Sequence, residues 1–161
     1  MPNNHNTLNT PNNPVQTGTA LTLFGIDFGT RKIGVAVGQT VTRTAMGLAV
    51  VPVRNNEVAW AEFDKLVQQW KPGAFVIGMP YNMDGTDSDM TGRATHFAKL
   101  LTERYGKPCH SVDERLSTRA AREITRVNAE LIGKRPKART EVDAMVAQLL
   151  LESWFSEARS E

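Results

Sequence analysis

Apolar residues become frequent only after residue 20, and from there their spacing changes from element to element. Leu21 to Phe28 carries apolar side chains on both faces of an extended segment, Leu21 and Leu23 on one and Phe24, Ile26 and Phe28 on the other. A strand covered on both sides is central in its sheet. Ile33 to Val37 follows through a short turn, so it runs antiparallel to the first strand, and Ala45 to Val53 supplies a third. From Glu57 to Trp70 a helix is predicted, because Phe63, Leu66, Val67 and Trp70 fall at i, i+3, i+4 and i+7. Lys71-Pro72-Gly73 ends it. Ala74 to Met79 is a short apolar strand, Pro80 to Asp87 a loop, Ser88 to Tyr105 a helix, and Pro108 to Asp113 a fifth strand. Ser117 can cap a helix that reaches about Asn128. Residues 129 to 138, with Gly133 and Pro136, read as a loop. The last helix spans about Glu141 to Ala158, with Val142, Met145, Val146, Leu149 and Leu150 as its buried stripe.

Three antiparallel strands followed by strands joined through helices predict an α/β fold, a mixed sheet with helices on both faces. Residues 1–19 are rich in Asn, Thr and Pro, with almost nothing to bury, and predict a disordered tail. Residues 20–158 then form one domain, which 161 residues with 40% apolar content can furnish with a full core.

Composition narrows the chemistry. A net charge of +2 does not by itself imply a nucleic-acid partner, so the placement of the cations has to decide. Cys109 is the single cysteine, which excludes an internal disulfide and a multi-cysteine zinc site; it reads as a small buried hydrophobe. His5, His96 and His110 lack metal-ligand spacing. No apolar run approaches the roughly 18 residues of a membrane span, and the N-terminus lacks the features of a secretory signal. A soluble cytoplasmic protein is the expectation.

Three acids stand out. Asp27 ends the first strand on the face of Leu21, Leu23 and Gly25. It either bonds the backbone of the Gly29-Thr30 turn or serves as a metal ligand, since an ionised carboxylate left alone there is costly. Asp113 and Glu114 close the fifth strand and point to opposite sides if the strand persists. Glu114 is a solvated strand end, a partner of Arg115 or a site residue. Asp143 fits a capping pattern in Thr140-Glu141-Val142-Asp143, yet lies about 60° from Val146 around the helix and so borders the buried stripe. The ends of two strands and the start of a helix packed on the sheet are places from which three carboxylates can converge. Such oxygen donors suit Mg²⁺ or Mn²⁺.

Cations flank each acid in sequence. Arg31 and Lys32 follow Asp27, Arg119, Arg122 and Arg126 form a stripe after Glu114, and the segment KRPKAR at 134–139 precedes Asp143. Three basic segments beside three acids point to a phosphate-rich ligand. Aromatic residues are not interleaved with these cations, so base stacking is not indicated by them.

GIDFGTRKIGVAV, VIGMPYNMDGT, SVDERLSTRAA and VDAMVAQLLLESW, in that order, closely resemble the YqgF family. These are small ribonuclease-H-like proteins described both as Holliday-junction resolvases and as pre-16S rRNA nucleases. The resemblance covers about residues 21 to 156. It implies a five-stranded mixed sheet and a divalent-metal nuclease, with Asp27, Glu114 and Asp143 as metal-holding catalytic acids and Asp113 in reserve for Glu114. Arg31, Asn82, Arg93, Arg115, Thr118 and Arg119 are then substrate-binding candidates. The implied substrate is precursor rRNA. Branched DNA, or a non-catalytic module that binds rRNA or ribosomal particles, are the alternatives, in a monomer or homodimer. The GIDFGT stretch also resembles a phosphate motif of actin-like ATPases, but those need a second related domain for which this chain has no room.

Overall fold

The computed structural model describes residues 20–115 and 137–160. The expected N-terminal tail, the helix from Ser117 with its arginine stripe, and most of the loop that follows lie outside these residues. Six strands form one sheet in the order β4-β3-β2-β1-β5-β6. They are β1 (Thr22–Phe28), β2 (Lys32–Gln39), β3 (Thr44–Arg54), β4 (Glu57–Val58), β5 (Ala74–Met79) and β6 (Cys109–Asp113). The helices are α1 (Trp60–Trp70), α2 (Asp89–Tyr105) and α3 (Lys137–Ser160). β1, β2 and β3 are antiparallel, whereas β5 and β6 run parallel to β1. The C-terminal ends of β1, β5 and β6 therefore lie along one edge of the sheet.

The sheet has six strands where five were expected. Asn55 and Asn56 both take left-handed backbone, φ 54° and 61°, which makes a two-residue hairpin and pairs Glu57–Val58 with Val53–Arg54. The helix expected from Glu57 accordingly starts at Trp60. Lys71, left-handed at φ 47°, ends it as the Pro-Gly sequence predicts.

Each face of the sheet carries its own core. Phe24, Ile26, Ile33, Val35, Phe75 and Ile77 meet Phe63 of α1 and Ala94, Phe97 and Leu101 of α2. On the other face Leu23, Ala36, Val76 and Val112 meet Val146, Ala147, Leu150, Leu151 and Phe155 of α3. The buried stripe of α3 thus differs from the expected one: Met145 and Leu149 are only half-buried, while Ala147 and Leu151 are fully inside. Asp143 stands at i−3 and i−4 from Val146 and Ala147, so the revised stripe runs through it.

The two helices on the first face are joined by a polar clamp. Arg104 donates to both carboxylate oxygens of Asp64, at 3.0 and 2.8 Å, and the Tyr105 hydroxyl donates to Oδ1 at 2.5 Å. Hydrogen bonds from Arg104 and then Tyr105 lower the Asp64 carboxyl to about 2. The pair is a third or more exposed, so solvent screening keeps its contribution small. Asp64→Asn is expected to lose that contribution at neutral pH in urea unfolding. A lowered carboxylate stabilises above its unfolded value of 3.8 and loses this as pH falls toward 2, so the two proteins should converge in acid. A difference that persists at the lowest pH would assign the loss to packing.

Candidate active site

Strand alternation sets the floor of the site. Leu23, Gly25 and Asp27 face α3, and the register places Asp27 opposite Gly34 of β2. A methyl at Gly34 would lie 2.2 Å from the backbone oxygen of Asp143. The bare glycine therefore lets α3 touch the sheet where Asp143 leaves the helix, beside Asp27. Gly25 and Gly47 serve the same helix further along, against Ala147 and Ala144. Gly78 of β5 does the equivalent for Glu114, whose Oε1 would be 2.9 Å from a methyl there.

Glu114 and Asp113 part company as expected of consecutive residues. Val112 packs under α3 and Glu114, two residues on, shares its side. Asp113 is turned to Arg115, which donates to it from Nε at 3.0 Å and Nη2 at 2.5 Å. That pairing engages Asp113 away from the side that Glu114 shares with Val112.

Asp27 makes no hydrogen bond to the Gly29-Thr30 turn among the described residues, so the structure lacks the turn-capping alternative. Burial, followed by the nearby charges of Glu114 and Asp143, raises its carboxyl to about 7. The three acids thus share one side of the sheet and sense one another electrostatically. Lys32, on the same face of β2, places its ammonium 2.7 Å from Asp143 Oδ2. That oxygen is buried and has no aligned hydrogen bond, so the contact is a close ion pair. Among the described residues no three acid, imidazole or thiol groups are gathered tightly enough to cage an ion as they stand. The donor set still fits a hard divalent cation: all oxygens, with a half-buried carboxylate at its centre whose ionisation is opposed by desolvation and like charge and would be favoured by a cation.

The other candidate residues fall in four groups. Arg31 is exposed at the β1–β2 turn. Asn82 and Arg115 build the loop between β5 and α2: the Asn82 amide donates to Thr86 Oγ1 at 3.0 Å and the Asp87 carbonyl at 3.1 Å, and Arg115 Nη1 donates to the carbonyls of Asn82 and Met83 at 3.3 and 3.1 Å. Arg115 thus ties the loop to the strand end beside Glu114. Arg93 lies on α2, on the other side of the sheet from the three acids. Thr118 and Arg119 lie outside the described residues. Arg115→Ala is expected to speed amide hydrogen exchange at residues 82–86 several-fold while leaving α3 protected. Unchanged exchange in the loop would show that its own turn suffices. Two contributors to the site are not evident from sequence patterns. Lys32 reads there only as a cation. Gly34 carries a fainter signal, since Gly34-Val35-Ala36-Val37-Gly38 alternates small and apolar residues, the mark of a face on which a helix lies close.

A family model described as RuvX: Holliday junction resolvase matches residues 21–157. The chain belongs to the RuvX family. This is the family to which the sequence resemblance points. A RuvX relative from Azotobacter vinelandii, named as a candidate pre-16S rRNA nuclease, is 46% identical over 135 residues, covering 84% of this chain and 93% of its own. One from Pseudomonas putida with the same name is 44% identical, covering 83% and 93%. Among solved structures, T. thermophilus RuvC in complex with a Holliday junction substrate aligns with TM-score 0.53 at 18% identity, over 87% of this chain and 96% of that one. The fowlpox virus resolvase with Holliday junction DNA gives 0.51 at 10%, over 85% and 98%. At such identities the likeness is one of fold: the RuvX chain is an α/β protein with a mixed sheet and helices, built like those resolvases.

Proposed function

We propose that this chain is a divalent-metal-dependent nuclease that hydrolyses phosphodiester bonds in RNA and acts in 5′-end maturation of pre-16S rRNA. The observation that carries this is the set of Asp27, Glu114 and Asp143 on one face of a RuvX-family sheet, with a raised carboxyl at its centre. The names of relatives at 42–46% identity favour the rRNA substrate. Asp27, Glu114 and Asp143 would hold one or two Mg²⁺ or Mn²⁺ ions. Such ions, when bound, lower the pKa of the attacking water and stabilise the leaving oxygen. The chain's own part is positional. The sheet fixes Asp27, Gly34 admits the helix turn that delivers Asp143, and Gly78 leaves room for Glu114. Arg31 contacts backbone phosphates rather than reading bases, and Thr118 and Arg119 extend that role. In this role the chain works in the cytoplasm, with ribosomal particles as partners.

Cleavage of branched DNA is the second reading, favoured by the family's description and by neighbours solved on junction DNA. Two symmetric cuts would require a dimer. A non-catalytic rRNA-binding module is the third, favoured by the lack of a preformed ion cage among the described residues. Labelled precursor RNA and four-way junction DNA, each with Mg²⁺, Mn²⁺ or EDTA, separate the three. RNA products that vanish in EDTA are expected. Binding to RNA should weaken with salt at a log–log slope of about −3, for roughly four phosphate contacts on a single strand. Junction cleavage by a dimer favours the second reading, and binding without metal-dependent products the third.

A further inference from the structure

On the face of the sheet opposite the acids, a cavity of about 450 Å³ lies between β1, the β3–β4 hairpin and α2. Nothing in the proposed hydrolysis uses it. Its floor is aromatic: half-buried Phe28 stacks on buried Phe97, with centroids 5.0 Å apart, and Trp60 stacks behind Phe97 at 5.7 Å. Its rim is polar and carries Arg93, His96 and Asp89 from α2. The ion pairs among the described residues engage Lys32, Arg104 and Arg115, which leaves Arg93 without one there.

Gly92 also lines this cavity. A glycine inside a helix is unfavourable relative to alanine, so its presence calls for a cause. At Gly25, Gly34, Gly47 and Gly78 the cause is close contact with α3 or Glu114. At Gly92 an added methyl meets nothing within 4 Å, and the backbone is ordinary helix. Neither packing nor conformation among the described residues demands it. What the missing side chain does is keep the wall of the cavity open.

The cavity is also joined to the acids. Phe28 directly follows Asp27, and consecutive residues of a strand point to opposite faces. A nucleic-acid strand crossing the end of β1 can thus present a phosphate on one side and a neighbouring nucleotide on the other.

We propose that this cavity seats one unpaired nucleotide of the RNA strand being cut, its base on Phe28, its phosphate toward Arg93 and a ribose hydroxyl toward Asp89. The size suits one nucleotide, within the range of small-ligand sites. An acid at the rim suits ribose hydroxyls, which donate, and disfavours a free polyphosphate. A base held in a helical stack cannot enter, so the site selects single-stranded or frayed RNA. This inference rests on the nuclease reading for the identity of the strand, and its test separates the two.

Binding of short single-stranded RNA is measured by fluorescence anisotropy in EDTA, with intact strands and with strands carrying one abasic nucleotide at successive positions. For the wild type, one position should cost about ten-fold in affinity, within the range for stacking on an aromatic ring. Gly92→Leu, which fills the cavity, should bind intact and abasic strands alike at the weaker affinity, with no fall in melting temperature. Gly92→Ala, which raises helix propensity with little filling, should keep the abasic penalty. A penalty retained in Gly92→Leu, or none at any position in the wild type, overturns the proposal. So does AMP binding at micromolar concentration that Gly92→Leu abolishes while its abasic penalty stays. If the wild type shows the penalty yet makes no metal-dependent products, the cavity assignment stands and the nuclease reading falls. Metal-dependent cleavage without any penalty leaves the nuclease reading in place and removes the cavity assignment.

Discussion

Asp27→Asn should lower the rate of metal-dependent RNA cleavage by about 100-fold or more, because stabilisation of transition-state charge by a bound divalent ion amounts to several kcal/mol. The substitution keeps the shape of the side chain and removes its charge. It should also change stability in the opposite direction. Burial and the neighbouring acids raise the Asp27 carboxyl from 3.8 to about 7. Between those values the unfolded chain releases the proton and the folded chain keeps it, so stability falls as pH rises across that window and the loss is complete above it. In metal-free protein the cost of the ionised group above pH 7 is on the order of a few kcal/mol. Asp27→Asn carries no such proton. Its melting temperature should therefore vary less between pH 4 and 7 and exceed that of the wild type above pH 7. Mn²⁺ should raise the melting temperature of the wild type far more than that of the variant. Wild-type cleavage by rigorously purified Asp27→Asn would falsify the catalytic assignment; equal pH profiles would place the carboxylate in a wetter setting than its burial implies.

Gly34→Ala should be the most damaging single methyl in the sheet. The new carbon would sit 2.2 Å from the Asp143 carbonyl oxygen and 2.8 Å from its carbon, and backbone atoms offer no rotamer by which to move aside. Overpacking of this kind costs about 1–3 kcal/mol and at times more. For a chain of this size that is roughly 2–12 °C in melting temperature. The helix must lift off β2, carrying Asp143 from Lys32 and from Asp27, so cleavage should fall at least ten-fold at temperatures where the variant is folded. Gly92→Ala is the control: it also removes a glycine, but its methyl meets nothing within 4 Å, and its melting temperature should not drop. A Gly34→Ala protein as stable as the wild type would mean that α3 does not rest on β2 at this point.

Much of this arrangement is legible in the chain, for physical reasons that can be named. Two-residue alternation by itself puts Asp27 on the side of Leu23 and Gly25. The same periodicity separates Asp113 from Glu114 but does not say which of them faces α3; the packing of Val112 under α3 and the local bonds from Arg115 to Asp113 do. The α3 stripe lies one step from its expected position. Helical spacing alone ranks Met145 and Leu149 with Val146 and Leu150, whereas the glycine surface beneath favours small Ala147 at the closest approach. The short strand β4 falls where a helix is expected, since a two-residue element has no period, although the Asn55-Asn56 pair before it is a hairpin signal. Lys32 cannot be assigned from sequence: its partner Asp143 comes from the far end of the chain, and no local pattern joins them.

That separation has a consequence for the making of the protein. Asp27 is among the earliest residues of the sheet to leave the ribosome, and Asp143 arrives with the last helix. A nascent chain that has reached only β6 lacks the cover for one side of its sheet and two of its three acids, Glu114 and Asp143. Under the function proposed above, the metal-holding set is therefore complete only late in synthesis, once the C-terminal helix docks on the sheet.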